Sequence, residues 1–211
     1  MSAASGLDPL FLAELNERLF VQFADGRWIA PLGERHLAVL PFDEGRVGRL
    51  ICAEVGDVAR AMRRLGPGSG TGLAAAYRAV GPMLVRLRAM EGFDDPAGDP
   101  ADLPEIPALP AGPLTLLSAA DTPVAQIARL LIAGADKGLL WKPAPRAAAS
   151  AHLMMRVLGP LARGGLAMVQ GDHASGALAA AQGGLIWASA APVPTGLRPV
   201  LSLGATAPRR P

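Results

Sequence analysis

Apolar positions follow one rhythm in the first half of the chain and another in the second. Asp8-Pro9 ahead of Leu12, Leu15 and Leu19 predicts a capped helix with proline at its first position. Short strand-like runs follow at residues 20–23, 27–29 and 36–40, with Asp25-Gly26 as a hairpin turn between the first two. Residues 47–53 read as another strand, leading to a helix capped by Asp57 that carries Val58, Ala61, Met62 and Leu65 on one face. The glycine-rich run at 66–70 reads as a flexible connection. Leu73, Ala76, Tyr77, Val80, Leu84 and Leu87 then recur at helical spacing, and Gly81-Pro82 is expected to kink or split that helix.

Residues 94–110 are acidic, rich in proline and without periodicity, which marks them as a linker between an N-terminal region, 1–93, and a second unit, 111–191. In that unit apolar runs alternate with helical patterns. Strands are expected at 114–119, 138–141, 166–170 and 185–188, and helices at 123–135, 147–161 and 175–181. Four strands and three helices in this order predict an α/β fold, an open parallel sheet with right-handed crossovers. Residues 192–211, with several prolines, are expected to form an irregular tail.

Composition narrows the function classes. A hydrophobic content of 51% supports a real core, and an aromatic content of 4% means that Ala, Leu, Val and Ile build it. The pI is near 9.2, yet the net charge is only +2. The only lysines are Lys137 and Lys142, and the arginines are dispersed among acids, so no basic stripe for nucleic acid is present. The single cysteine, Cys52, excludes an internal disulfide and fits a reducing compartment. No basic and apolar leader opens the chain and no apolar window has membrane-spanning length, so a cytoplasmic protein without membrane contact is expected.

Two stretches resemble the aldehyde dehydrogenase superfamily. Phe23-Ala-Asp-Gly-Arg-Trp-Ile-Ala-Pro31, then Gly48-Arg-Leu-Ile and Asp57-Val-Ala-Arg-Ala61, is similar to that family's opening hairpin, strand and helix. Gly138-Leu-Leu-Trp-Lys-Pro-Ala-Pro145 resembles its "V-x-K-P-(S/A)-E" strand end, and Leu166-Ala-Met-Val-Gln-Gly-Asp172 its "N-V-V-x-G" strand. The resemblance implies a Rossmann-like nucleotide-binding domain preceded by an N-terminal helix, β-hairpin and helices. It also implies that the second α/β domain, with the nucleophilic cysteine and general-base glutamate, would begin where this chain ends.

What the resemblance implies about sites centres on Lys142, matching the lysine that contacts the adenosine ribose of NAD(P), with Trp141, Pro143 and Gly171 as vestigial cofactor-binding neighbours. Pro145 stands where the family has an acid that accepts from a ribose hydroxyl. Asp121 occupies the place of an oxyanion-binding asparagine; as an anion it would oppose the developing charge, and Asp121 or Thr122 is expected instead to cap the next helix. Ser189 replaces the glycine of the phosphate turn, and Pro192 and Pro194 remove amide donors beyond it. The turn at 171–176 reads either as a small anion site or as a cap by Ser175, the latter being preferred. His36, His152 and His173 lie in no metal-ligand pattern, and Cys52 reads as a buried, inert thiol.

These readings predict no catalytic residue and no metal. The expected function is that of a non-catalytic aldehyde-dehydrogenase-like protein, a pseudoenzyme acting through association with a second copy, a full-length relative or another enzyme subunit. No cofactor is then required. The alternative is an accessory subunit of an oxidoreductase that still binds NAD(P).

Overall fold

The computed structural model describes residues 19–42 and 46–203. The helix expected after Asp8-Pro9 lies outside them. In chain order the strands are β1 (Leu19–Phe20), β2 (Gln22–Ala24), β3 (Arg27–Ile29), β4 (His36–Phe42), β5 (Arg46–Ile51), β6 (Leu114–Ser118), β7 (Leu139–Pro143), β8 (Leu166–Met168), β9 (Gly184–Ala188) and β10 (Leu201–Leu203). The α-helices are α1 (Val55–Arg64), α2 (Leu73–Met90), α3 (Val124–Gly134), α4 (Ala148–Leu158) and α5 (His173–Ala180).

The expected parallel sheet is present and extends at both edges. Seven strands run in the order β10-β9-β6-β7-β8-β2-β3, parallel from β10 to β8 and antiparallel across β8-β2 and β2-β3. Asp25 and Gly26 both have positive φ, 55° and 71°, the backbone that a two-residue hairpin between β2 and β3 requires. The stretch expected to be an irregular tail supplies β10, which pairs with β9. A second, three-stranded sheet has the order β1-β5-β4.

The two sheet faces are covered by different helices, and strand alternation sorts the side chains between them. Leu114, Leu116, Leu139, Trp141, Leu166 and Met168 face a core filled by Leu84 and Leu87 of α2, Leu130 and Leu131 of α3 and Met154 and Leu158 of α4. Leu140, Ala167 and Val169 face the opposite way, against Val58 and Ala61 of α1 and Ala179 of α5.

Several local expectations are corrected by tertiary contacts. Helix α1 starts at Val55 with Glu54 as its cap, and Asp57 acts from the third position rather than as the cap itself. Its buried carboxylate accepts from the amides of Leu32 (2.9 Å), Gly33 (3.1 Å) and Glu54 (3.2 Å), tying the loop after β3 to the helix. Helix α2 runs unbroken through Pro82, whose exposed position leaves the lost backbone hydrogen bond on the solvent side.

The glycine-rich run at 66–70 is pinned rather than flexible. Gly68 N donates to Ala135 O at 2.9 Å, and Ser69 N donates to Ala162 O at 3.1 Å. A Cβ on Gly68 would lie 2.0 Å from Ala162 O and 2.5 Å from Gly165 N, so two backbone segments cross at a distance only glycine permits.

Residues 94–110 are likewise anchored. Asp95 is buried, and Leu103, Ile106 and Leu109 pack on the core. Neither Asp121 nor Thr122 caps α3. Asp95 Oδ2 accepts from Val124 N at 2.8 Å, while Thr122 Oγ1 donates to Ala188 O at 2.7 Å. Glu91 plays the same part for α4, accepting from Ser150 N and Ser150 Oγ, each at 2.8 Å. Arg88 holds both acids, with Nη1 2.9 Å from Glu91 and Nε 3.3 Å from Asp95.

Two substitutions test this packing. Arg88→Met leaves two buried carboxylates without their cation and is expected to lower unfolding free energy by about 3–5 kcal/mol in urea titration. Gly68→Ala is expected to cost about 1–3 kcal/mol by the same measurement, because backbone must move to admit the methyl group.

Candidate functional site

Chain direction across the sheet creates the site. From β6 the crossovers proceed outward to β7 and then β8, after which α5 carries the chain back to β9 on the other side of β6. Strand order therefore reverses between β6 and β9, where open α/β sheets leave a crevice beyond the carboxyl ends of the strands. A cleft of about 620 Å³ opens there, within the size range of small-ligand pockets.

Its floor is a row of three side chains in register. Leu117 of β6 is paired with Lys142 of β7 on one side and with Trp187 of β9 on the other, and all three line the cleft. Ala144 and Pro145 continue one wall. Asp172, His173, Gly176 and Ala177 of the α5 region form a second, and Ser189, Pro194, Thr195 and Leu197 a third.

Lys142 is 7% exposed and makes no ion pair among the described residues. Burial lowers its pKa from the ordinary 10.5 to about 8, and the charge of Asp172 only partly opposes this. Asp172 is engaged elsewhere. Its carboxylate is bridged by Arg35, at 2.6 Å and 3.4 Å, and accepts from Ser175 N at 3.1 Å as the cap of α5. The Arg35 hydrogen bond, first among these contacts, holds its pKa well below the usual carboxylate range. The expected cap, Ser175, instead donates from Oγ to Ala53 O at 2.7 Å.

The four residues named from the cofactor motif are not brought together in the cleft. Lys142 lines it, whereas Trp141 and Pro143, one step along the strand on either side, do not. Trp141 is buried on the opposite face and donates from Nε1 to Ser118 Oγ at 3.0 Å. Gly171 has φ of 148°, and a Cβ there would lie 2.1 Å from Ser175 Oγ, so this position ahead of α5 takes glycine for a close approach rather than for a ligand contact.

Other singled-out residues are dispersed. Cys52 is buried and lines no part of the cleft. His36 is exposed, with Nδ1 2.7 Å from Glu34 O, and His152 stacks on Trp28 with ring centroids 4.2 Å apart. His173 alone of the histidines faces the cleft. Among the described residues no cluster of His, Cys, Asp and Glu could hold a metal ion, and no helix is long and apolar enough to cross a membrane. Leu117, Trp187 and Leu197 were missed from sequence. Counting strand ends in register with Lys142 finds the first two; Leu197 arrives through the path of 189–200 and has no local signal.

A nicotinamide dinucleotide would find unequal contacts along this lining. The apolar floor and Lys142 suit an adenosine, whose base is flat and whose ribose offers hydroxyls to an amine. The pyrophosphate half is poorly served. No helix follows β9; residues 189–200 lead to β10 instead, and Pro192 and Pro194 have no N–H to offer. Ser189 Oγ is occupied with Ala191 N at 3.0 Å, and Trp187 Nε1 donates to Ala191 O at 2.9 Å.

No protein-family description and no curated protein matches the sequence. Solved structures do match in three dimensions. An oxidoreductase from Marinobacter aquaeolei superposes with a TM-score of 0.66 at 17% identity, over 87% of this chain and 48% of that one. Delta-pyrroline-5-carboxylate dehydrogenase from Mycobacterium tuberculosis gives 0.65 at 16% identity, over 90% of this chain and 46% of its own. Aldehyde dehydrogenase C from Pseudomonas syringae, solved with NAD⁺ and octanal, gives 0.61 at 17% identity, over 80% and 45%. The chain spans about half the length of these structures, and at such identities the likeness speaks for the fold. This chain has the fold of the nucleotide-binding part of an aldehyde dehydrogenase.

Proposed function

We propose that this protein is a non-catalytic, aldehyde-dehydrogenase-like unit that holds the adenosine end of a nucleotide and acts in association with a second polypeptide. One observation carries the reading: a roomy apolar cleft at the strand-order reversal, with Lys142 as the one lysine in its floor. Lys142 would bind the ribose hydroxyls or a ribose phosphate, and Leu117, Trp187 and Leu197 would bound the base. The chain's own thiol, Cys52, is buried and is not among the residues that line the cleft, so a nucleophile for aldehyde oxidation would have to come from elsewhere. Association is favoured by the same argument, because a bound nucleotide without reacting groups needs a partner to use it.

Calorimetric titration with AMP, NAD⁺ and NADP⁺ tests the nucleotide. AMP and NAD⁺ are expected to bind with similar affinity, since the pyrophosphate finds few donors. Lys142→Ala is expected to weaken each at least tenfold. Affinity should fall as pH rises through about 8, where the ammonium loses its proton. Absence of heat for all three at millimolar concentration removes the nucleotide reading.

Light scattering tests association: a mass above the 21.6 kDa monomer, or a stoichiometric co-purifying protein, is expected. A pure monomer removes that part of the reading.

Burial of Lys142 also sets a stability signature. Between pH 8 and 10.5 the unfolded chain keeps a proton that the folded chain sheds, so this group's contribution to stability rises with pH across that window. Lys142→Met removes the penalty. Thermal unfolding at pH 7 should show a gain of up to about 3 kcal/mol that shrinks above pH 8 and vanishes beyond 10.5.

A further inference from the structure

Lys142 combines features that seldom occur together on one lysine. Its side chain is buried, yet it lines an open cleft that a small molecule can enter. The nearby acid, Asp172, is bridged by Arg35 at 2.6 Å and caps α5, leaving Lys142 without a paired carboxylate. Gly176 across the cleft has no side chain to crowd it; even a Cβ there would stay 3.9 Å from Lys142 Cδ and Cε. The surrounding walls, from Leu117, Pro145, Trp187 and Leu197, are apolar.

We propose that Lys142 is a nucleophilic amine that condenses with the carbonyl group of a small apolar aldehyde entering this cleft, forming an imine. The neutral Nζ attacks the carbonyl carbon; the new N–C bond displaces the carbonyl π pair onto oxygen, which takes up the proton released by nitrogen. The resulting carbinolamine loses its hydroxyl group as water, and nitrogen supplies the second bond to carbon. Aldehyde and amine become imine and water, with no oxidant or reductant consumed. His173, exposed on the same wall, is placed to carry the proton to the departing hydroxyl. With a pKa of about 8, roughly a fifth of Lys142 is neutral near pH 7.4, on the order of a hundredfold more than for an ordinary lysine. The charged and titratable groups facing it are Asp172 and His173 on the α5 wall and Cys52 beyond β5. This chemistry does not depend on nucleotide binding, and either reading can fail without the other.

The chain supplies its own control. Lys137 is the only other lysine, half-buried outside the cleft and paired with Asp136 at 3.2 Å, and both lysines fall between Arg129 and Arg146. The folded protein is incubated with limiting hexanal and sodium cyanoborohydride, cleaved at arginine, and the label on each lysine is read by peptide fragmentation. At pH 7.5 Lys142 is expected to carry at least tenfold more label than Lys137, with its rate half-maximal near pH 8. Urea-unfolded chain should lose the preference, and glyceraldehyde should label Lys142 at least fivefold less than hexanal does. Equal or lower labelling of Lys142 in the folded protein overturns the proposal, as does a preference that survives unfolding or parity between the two aldehydes.

Discussion

A single guanidinium fixes where two helices begin. Arg88 holds Glu91 and Asp95, and these two acids cap α4 and α3, the crossovers that follow β7 and β6. Three buried charges would ordinarily be costly, and burial does raise the pKa of Glu91 despite Ser150 and Arg88. The arrangement is sustained because each acid also faces the positive end of a helix, where its charge meets unsatisfied amides. Arg88 donates besides to Ala120 O, at 2.6 Å, in the loop between β6 and α3. The ends of β6 and β7, and with them the cleft, are thus positioned by a polar cluster on the far side of the sheet.

The cleft shows how a charge can be left alone on purpose by its neighbours. Asp172 lies close enough to oppose the desolvation of Lys142, yet Arg35 and the first turn of α5 occupy its oxygens. Had Arg35 been absent, Asp172 would be free to draw Lys142 into an ordinary ion pair. The loop between β3 and β4 therefore shapes the chemistry of a lysine on β7, though Arg35 is not among the residues that line the cleft.

The alternating apolar runs of β6 to β9 were readable because burial on both faces of a parallel strand is written in neighbouring residues. The caps were not. Asp95 reaches Val124 across 29 residues and Glu91 reaches Ser150 across 59, whereas a sequence reading looks for a cap next to the helix. Composition misled at 66–70, where glycine signals close backbone crossing with Gly165 rather than freedom. At the site, motif likeness found Lys142, but strand alternation turns Trp141 and Pro143 away from the cleft, and the wall formed by 189–200 depends on the pairing of β10.

Among the described residues the hairpin of β2 and β3 joins the large sheet through β8, with Phe23 opposite Met168 and Gln170 N donating to Gln22 Oε1 across 148 residues. During synthesis the hairpin leaves the ribosome long before that neighbour exists. A two-stranded hairpin is marginal in water by itself. The amino-terminal strands must therefore wait, loosely formed, until most of the polypeptide has been made, and docking them closes the longest loop in the sheet.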